Sequence, residues 1–198
     1  AYAPVSLKAN SVRELIALAK ASPGKINFGS SGVGSVIHLG MEMFQASTGV
    51  TMTHIPYKGN GPANIDLAAG RLDLLLGSIS GIQLVRAGKA KILGTTSPKR
   101  LADFPDVPSF AESGVTDFDL GNTYTLYAPI KTSPAIVAFL NREVGQLLAT
   151  PEMKARFAAD NSEAAPPIPP EELRNAFNKE FERWEGVVKA AGITADKL

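Results

Sequence analysis

Two rhythms of apolar residues alternate along the first half of the chain. Val12, Leu15, Ile16 and Ala19 recur at helical spacing, and Ser11 with Glu14 makes a capping box in front of them. Pro23-Gly24 stops that helix. A short strand is then predicted over 26–29. A helix follows from Gly34 to about Ser47, with Ile37, Met41 and Phe44 inward. The alternation continues with a strand over 51–57, a helix through Ala69, a buried strand over 72–76, a helix from about Gly81 to Ala87, and a strand over 91–96. Strands separated by helical patterns imply right-handed crossovers and a mostly parallel sheet, an α/β fold.

The texture changes after Ser97. Asp103-Phe104-Pro105-Asp106-Val107-Pro108 reads as an irregular crossing segment. A strand is predicted over 123–127, and helices from there on. Ser133-Pro134 opens one helix, with Ile136, Leu140, Val144 and Leu147 inward. Thr150-Pro151 opens a short second helix. Pro169-Pro170 opens a long third, striped by Leu173, Phe177, Phe181, Trp184 and Val188 and ended by Gly192. The chain thus divides into an α/β unit and a helical remainder, joined near residues 117–123.

Glycines and serines concentrate where the first α/β strand meets its helix: Gly29-Ser30-Ser31-Gly32-Val33-Gly34-Ser35. Glycines let backbone approach a ligand, and amides at a helix start favour an anion. Serine hydroxyls add short donors. The loop is not a phosphate-binding Walker loop, because no lysine follows its last glycine. It is a poor dinucleotide fingerprint, because Ile37 stands where a third glycine belongs. The alternative is a tight turn that merely starts a helix. A second loop, Tyr57-Lys58-Gly59-Asn60-Gly61-Pro62, is expected at the same sheet edge, with Tyr57 a possible wall and Lys58 a solvated charge. Ser78 ends the next strand there, either donating to a ligand or capping the following helix.

Composition narrows the chemistry. Twenty basic residues face nineteen acidic ones, and no basic stripe stands out, so nucleic acid is not an expected partner. The absence of cysteine excludes disulfides, thiol catalysis and thiolate metal sites. No apolar run is long enough to span a bilayer. Nothing like a signal peptide precedes the first helix, which leaves a cytosolic, a mature or a trimmed chain open. His38 and His54 have no spacing that makes a metal or catalytic set, and packing is the expected role of His38. Glu42, Asp66 and Asp73 are scattered, and the serines lack a partnered histidine in sequence. Neither catalytic residues, nor a metal, nor a cofactor is expected.

Several stretches together resemble the substrate-binding proteins of tripartite tricarboxylate transporters, the Bug receptors. They are Lys25-Ile26-Asn27-Phe28-Gly29-Ser30-Ser31-Gly32 with Gly34-Ser35 and His38-Leu39, and His54-Ile55-Pro56-Tyr57-Lys58-Gly59 with Gly61-Pro62-Ala63. Ala87-Gly88-Lys89, Thr96-Ser97-Pro98-Lys99-Arg100, Pro105-Asp106-Val107-Pro108, Glu112-Ser113-Gly114, Leu140-Asn141 and Trp184 through Ile193 continue the match, which covers the chain from about Lys8. The resemblance implies a periplasmic, type II two-lobed clamp that takes small organic carboxylates and hands them to a membrane permease. It implies ligand contacts at Ser30, Ser31, Gly32, Gly34 and Ser35, and less directly at Tyr57, Gly61 and Ser78. It also implies roughly a hundred residues before the segment seen here, an ordinary domain's worth. On that reading residues 8–120 are the ligand lobe, 121–198 belong to the other lobe, and 1–7 are a remnant of the absent part. Self-association of a chain shortened in this way is then expected. The rival classes are an enzyme, or a ligand-sensing domain, that uses the glycine-serine loop as an anion site.

Overall fold

The computed structural model describes residues 1–77, 81–116, 118–121, 123–159, 162–165 and 168–194. Two compact units divide the chain: Ala1–Gly121 with Gly186–Leu198, and Asn122–Glu185.

The first unit is built on a five-stranded sheet of order β3-β2-β4-β1-β5. β2 (Asn27–Ser30) lies parallel to both β3 (Thr53–Pro56) and β4 (Leu74–Leu75). β1 (Tyr2–Pro4) runs antiparallel between β4 and β5 (Ala90–Ile92). So the mostly parallel α/β sheet expected from the sequence is present, with one antiparallel strand inserted into it. That strand comes from the first residues of the chain. It is too short to show a period, and nothing in its sequence announces a central position.

Successive strand residues face opposite sides of a sheet. Leu74 therefore enters one core and Leu75 the other. On the first face α1 (Val12–Ala21) and α2 (Val36–Thr48) bury Val12, Leu15, Ala19, Met41 and Phe44 with Phe28. Phe44, Phe110 and Phe118 close this core as an aromatic trio, with centroids 4.9–6.1 Å apart. On the other face α3 (Asn60–Ala68) and α4 (Ile82–Arg86) bury Ala63, Leu67 and Ile82 against Tyr2, Leu72 and Leu75. Helices on both faces of the sheet make this a doubly wound unit.

Local chemistry sets the helix ends. Ser11 accepts from the Glu14 amide at 3.2 Å. The Glu14 carboxylate reaches back to the amide of Asn10 at 2.8 Å, one residue beyond the expected box. Gly49, at φ 67°, closes α2 in the left-handed region.

The second unit holds α5 (Pro134–Ala149), α6 (Pro151–Ala159) and most of α7 (Pro170–Ala190). Ser133 caps α5 through the Ile136 amide, as its sequence implies. Asn141 Nδ2 donates to the Ile168 carbonyl at 3.1 Å, and Tyr127 meets Phe177 edge-on.

Three expectations from the sequence fail. Residues 123–127 form no strand, because no neighbouring strand offers a ladder; Tyr124 is 90% exposed, and Leu126 and Tyr127 are exposed too. The stripes are only partly covered: Val144, Leu173, Trp184 and Val188 are half-buried, while Ile136, Leu140 and Leu147 on α5 and Phe177 and Phe181 on α7 lie exposed, and neither helix fully buries a large side chain. The strand expected over 91–96 ends at Ile92, after which Thr95 makes a single parallel bridge to Ser109.

Candidate functional site

Because β2, β3 and β4 are parallel, the loops that follow them share one edge of the sheet. The Tyr57 amide donates to the Ser30 carbonyl at 3.0 Å, and the Gly59 amide to the Ser31 carbonyl at 3.3 Å. These bonds lace the glycine-serine turn to the second glycine loop. Two helices begin there, α2 after the turn and α3 after Gly59. Helix starts that converge at the strand ends of an open α/β sheet make an anion-favouring edge.

The turn is tightly wired. Ser35 is the N-cap of α2: its hydroxyl accepts from the His38 amide at 3.3 Å and donates to the Gly32 carbonyl at 2.7 Å. Gly32 and Gly34 sit at φ 140° and 74°, conformations that a side chain would oppose. Ser31 and Ser35 are half-buried in the turn.

Ser30 is fully buried. Its hydroxyl accepts from the Gly32 amide at 3.2 Å, lies 2.9 Å from the Gly32 carbonyl, and lies 2.7 Å from His54 Nε2. Ser30 thus shapes the turn from behind. It also has the partnered histidine that the sequence did not show, because β2 and β3 set Ser30 beside its neighbours on the adjacent strand. Burial and the bonds to Gly32 keep that hydroxyl from acting as a nucleophile.

Behind the turn the two histidines stack, with centroids 3.8 Å apart and planes 13° apart; Phe28 stacks on His54 at 5.0 Å. The Gly34 amide donates to His38 Nδ1 at 3.1 Å, and Glu42 lies 3.6 Å from His38 Nε2. Burial pushes both imidazoles down, and His54, which also faces His38, falls to about 4. Burial pushes the Glu42 carboxyl up, although a side-chain hydrogen bond from Gln45 opposes it. Sequence reading placed these rings on separate elements and missed the pair, because a contact between a helix residue and a strand residue far along the chain leaves no local signal.

In the second loop Tyr57 is half-buried, and its hydroxyl donates to Asp66 at 2.9 Å. Burial and that bond raise the phenol, while the Arg71 and Tyr57 hydrogen bonds hold the Asp66 carboxyl below its usual range. α3 has no side-chain cap: Gly59, at φ 98°, stands at its N-cap. Gly61 is exposed on its first turn, and the buried Asn60 Oδ1 has no hydrogen-bond partner among the described residues. Gly77 ends the third strand segment against the ring of Tyr2, where a Cβ would meet ring atoms at 3.1 Å. Ser78 lies outside the described residues. Among the described residues no group of three histidine, aspartate or glutamate side chains is placed to hold a metal ion, and no helix is long and apolar enough to cross a membrane.

A doubly wound lobe with two helix starts and a polar turn at one sheet edge has the form of a solute-binding lobe. Comparison with known proteins gives the family. Residues 2–193 match the tripartite tricarboxylate transporter family receptor, and the chain belongs to that family, one of receptors and not of enzymes. The protein BugT of Bordetella pertussis is 36% identical over 188 residues. That alignment covers 94% of this chain but 57% of BugT, so the chain spans little more than half that relative's length. Among solved structures, the R. palustris protein Rpa4515, determined with adipate, superimposes with a TM-score of 0.83 at 32% identity, covering 96% of this chain and 64% of its own. MatC of Rhodopseudomonas palustris, determined with bound malate, gives 0.74 at 27% identity, covering 94% and 65%. The fold is thus that of the periplasmic-binding-protein-like receptors that the sequence resembles.

Proposed function

We propose that this chain contributes a carboxylate-binding lobe to a periplasmic receptor that captures small organic acids for a tripartite tricarboxylate transporter permease. The carrying observation is the convergence of the capped α2 turn and the uncapped start of α3 at one sheet edge. Relatives of the same fold bound to adipate and to malate support a dicarboxylic ligand. Residues 8–120 form the ligand lobe in this reading. Ser31 and Ser35 supply hydroxyls, Gly32, Gly34 and Gly61 let the backbone come close, Tyr57 makes a wall, and Ser30 holds the turn from behind. Ser78, which lies outside the described residues, completes the list as the resemblance implies.

Magnitude limits what one lobe does by itself. Helix-start electrostatics contribute up to roughly 2 kcal/mol in favourable, partly buried sites. A micromolar ligand needs about 8 kcal/mol. The 198-residue chain is therefore expected to bind adipate or malate no better than about millimolar, with the ligand at the turn. Calorimetry with both acids tests this; a micromolar constant for a monomeric chain would refute the affinity claim. Absence of binding to any small carboxylate, with chemical shifts at Ser31 and Ser35 unmoved at high ligand concentration, would refute the site. An enzyme using the same edge is the rival, and saturable turnover of an acid or a phosphate ester, lost on Ser35→Ala, would favour it. A second copy of the chain is the self-association partner in this reading, through the exposed stripes of α5 and α7.

A further inference from the structure

The stacked histidines lie directly behind the ligand turn, and each is bonded to it through a different atom. His38 Nδ1 accepts the Gly34 N–H, so that nitrogen carries no proton in this geometry. His54 Nε2 meets the Ser30 hydroxyl, which accepts from the Gly32 amide and donates to the Gly32 carbonyl, so Nε2 is the donor in that contact and keeps it when the ring charges; a charged His54 acts on the turn through repulsion of His38. The two imidazoles therefore hold the two positive-φ glycines of the turn, one directly and one through Ser30.

We propose that His38 and His54 are positioning residues that hold the Gly32–Gly34 turn in its binding shape only while both rings are neutral, so that acidification opens the turn. This rests on the reading of the turn as the carboxylate site.

The physical reason is donor and acceptor bookkeeping. A proton on His38 Nδ1 sets one N–H against another, and the Gly34 amide loses its acceptor. A second charge on the facing ring, 3.8 Å away, adds like-charge repulsion in a site largely shielded from water. The groups around the pair oppose this weakly. From β2 come Phe28 and Ser30, both uncharged; from the turn comes only the Gly34 N–H; from β3 comes His54 itself. On α2 Glu42, 3.6 Å from His38 Nε2, is the one group among the described residues within ion-pair distance of either ring. Burial raises its carboxyl, which weakens it as a counter-charge as the pH falls.

The sign is fixed by both histidines lying below their ordinary value, His54 at about 4. An opened turn frees rings that take up a proton near 6.5, so the closed turn is fully favoured above 6.5 and loses ground as the pH falls from there toward about 4.

The test is an NMR titration of the ligand-free 198-residue chain between about pH 7.5 and about pH 4, in the window where imidazoles charge. The Gly32 and Gly34 amide resonances are expected to move together with the imidazole carbons. Adipate affinity is expected to fall more steeply across that window in the wild type than in the variant below, because protonation of the acid itself acts equally on both. His38→Gln with His54→Gln keeps an acceptor for Gly34 and a partner for Ser30 but takes up no proton. In that variant the turn amides are expected to stay fixed across the titration. Turn amides that stay still in the wild type while the imidazoles titrate would overturn the proposal, whatever the folding of the variant. So would tighter adipate binding on acidification, as expected if the imidazolium simply attracted the carboxylate. A turn that titrates in a chain binding no adipate at any pH would support the positioning role and count against the carboxylate reading, so the two fail separately.

Discussion

Ser35 does two jobs through one hydroxyl, capping α2 and tying the turn back to Gly32. Ser35→Ala is expected to cost about 1 kcal/mol of stability, and Ser35→Gly only a few tenths, because glycine at an N-cap exposes the amides to water. Urea denaturation of both variants checks the order; equal losses would show that the cap contributes little. Gly34 presents a different problem. At φ 74° its replacement by alanine places a Cβ in the left-handed region, with a cost of roughly 1–2 kcal/mol. The same measurement applies, and a Gly34→Ala chain as stable as the parent would show that the turn rearranges easily. Both residues were legible in the sequence as members of the glycine-serine turn, but the helix was expected from Gly34, and the capping role of Ser35 came only from the structure. Ser30 was legible only as a serine. Its burial and its bond to His54 depend on a strand that begins over twenty residues later.

At the scale of elements, acid should act on the sheet edge before it acts on the surface ion pairs. His54 is depressed from 6.5 to about 4, so the stability it contributes is present above 6.5 and is lost as the pH falls toward 4. After allowance for solvent screening of a half-buried ring, that loss is on the order of 1 kcal/mol. Glu42 works in the opposite direction, since its raised carboxyl takes up a proton more readily in the folded chain. The carboxylates Asp66 and Glu112 are held low by Arg71 and Arg100, so their contributions persist until the pH falls through values below 3.8 and 4.5 respectively. Thermal unfolding followed against pH should therefore decline first between about 6.5 and 4, and that first decline should be smaller in the His54→Gln variant. A wild-type profile flat over this range would show that the pair is not depressed. Most elements were anticipated by their apolar periods, because α1 and α2 each bury one stripe. The antiparallel β1 was not, since three residues carry no period and its place between β4 and β5 is set by distant partners.

For the whole molecule, the exposed face of the second unit is the largest open question of energetics. Ile136, Phe139, Leu140 and Leu147 on α5, with Phe177 and Phe181 on α7, lie open, and Ile130 before them is 100% exposed. Leaving each large apolar side chain in water forgoes roughly 1.5–3 kcal/mol. Monomers rarely carry so many together. The 198-residue chain is expected to self-associate at micromolar concentration, giving a two-fold dimer or a swapped arrangement. Light scattering coupled to size exclusion measures this, and Phe139→Glu with Phe177→Glu should shift the chain toward monomer. A compact monomer with protected amides across residues 134–190 would refute it.

By itself the sequence determined the α/β alternation, the glycine-serine turn, the starts of α1 and α5, and the receptor family, because each rests on residues close together in the chain or on a pattern of many short stretches. It also placed apolar stripes on α5 and α7 correctly as stripes. Only the tertiary structure decided which way those stripes face, since burial depends on what else is present to cover them. Only strand pairing could bring His54 onto Ser30 and under His38, and only the inserted β1 could complete the sheet that holds them. Periodicity is local, whereas a ring stack between a strand and a helix arises from contacts that no single segment encodes.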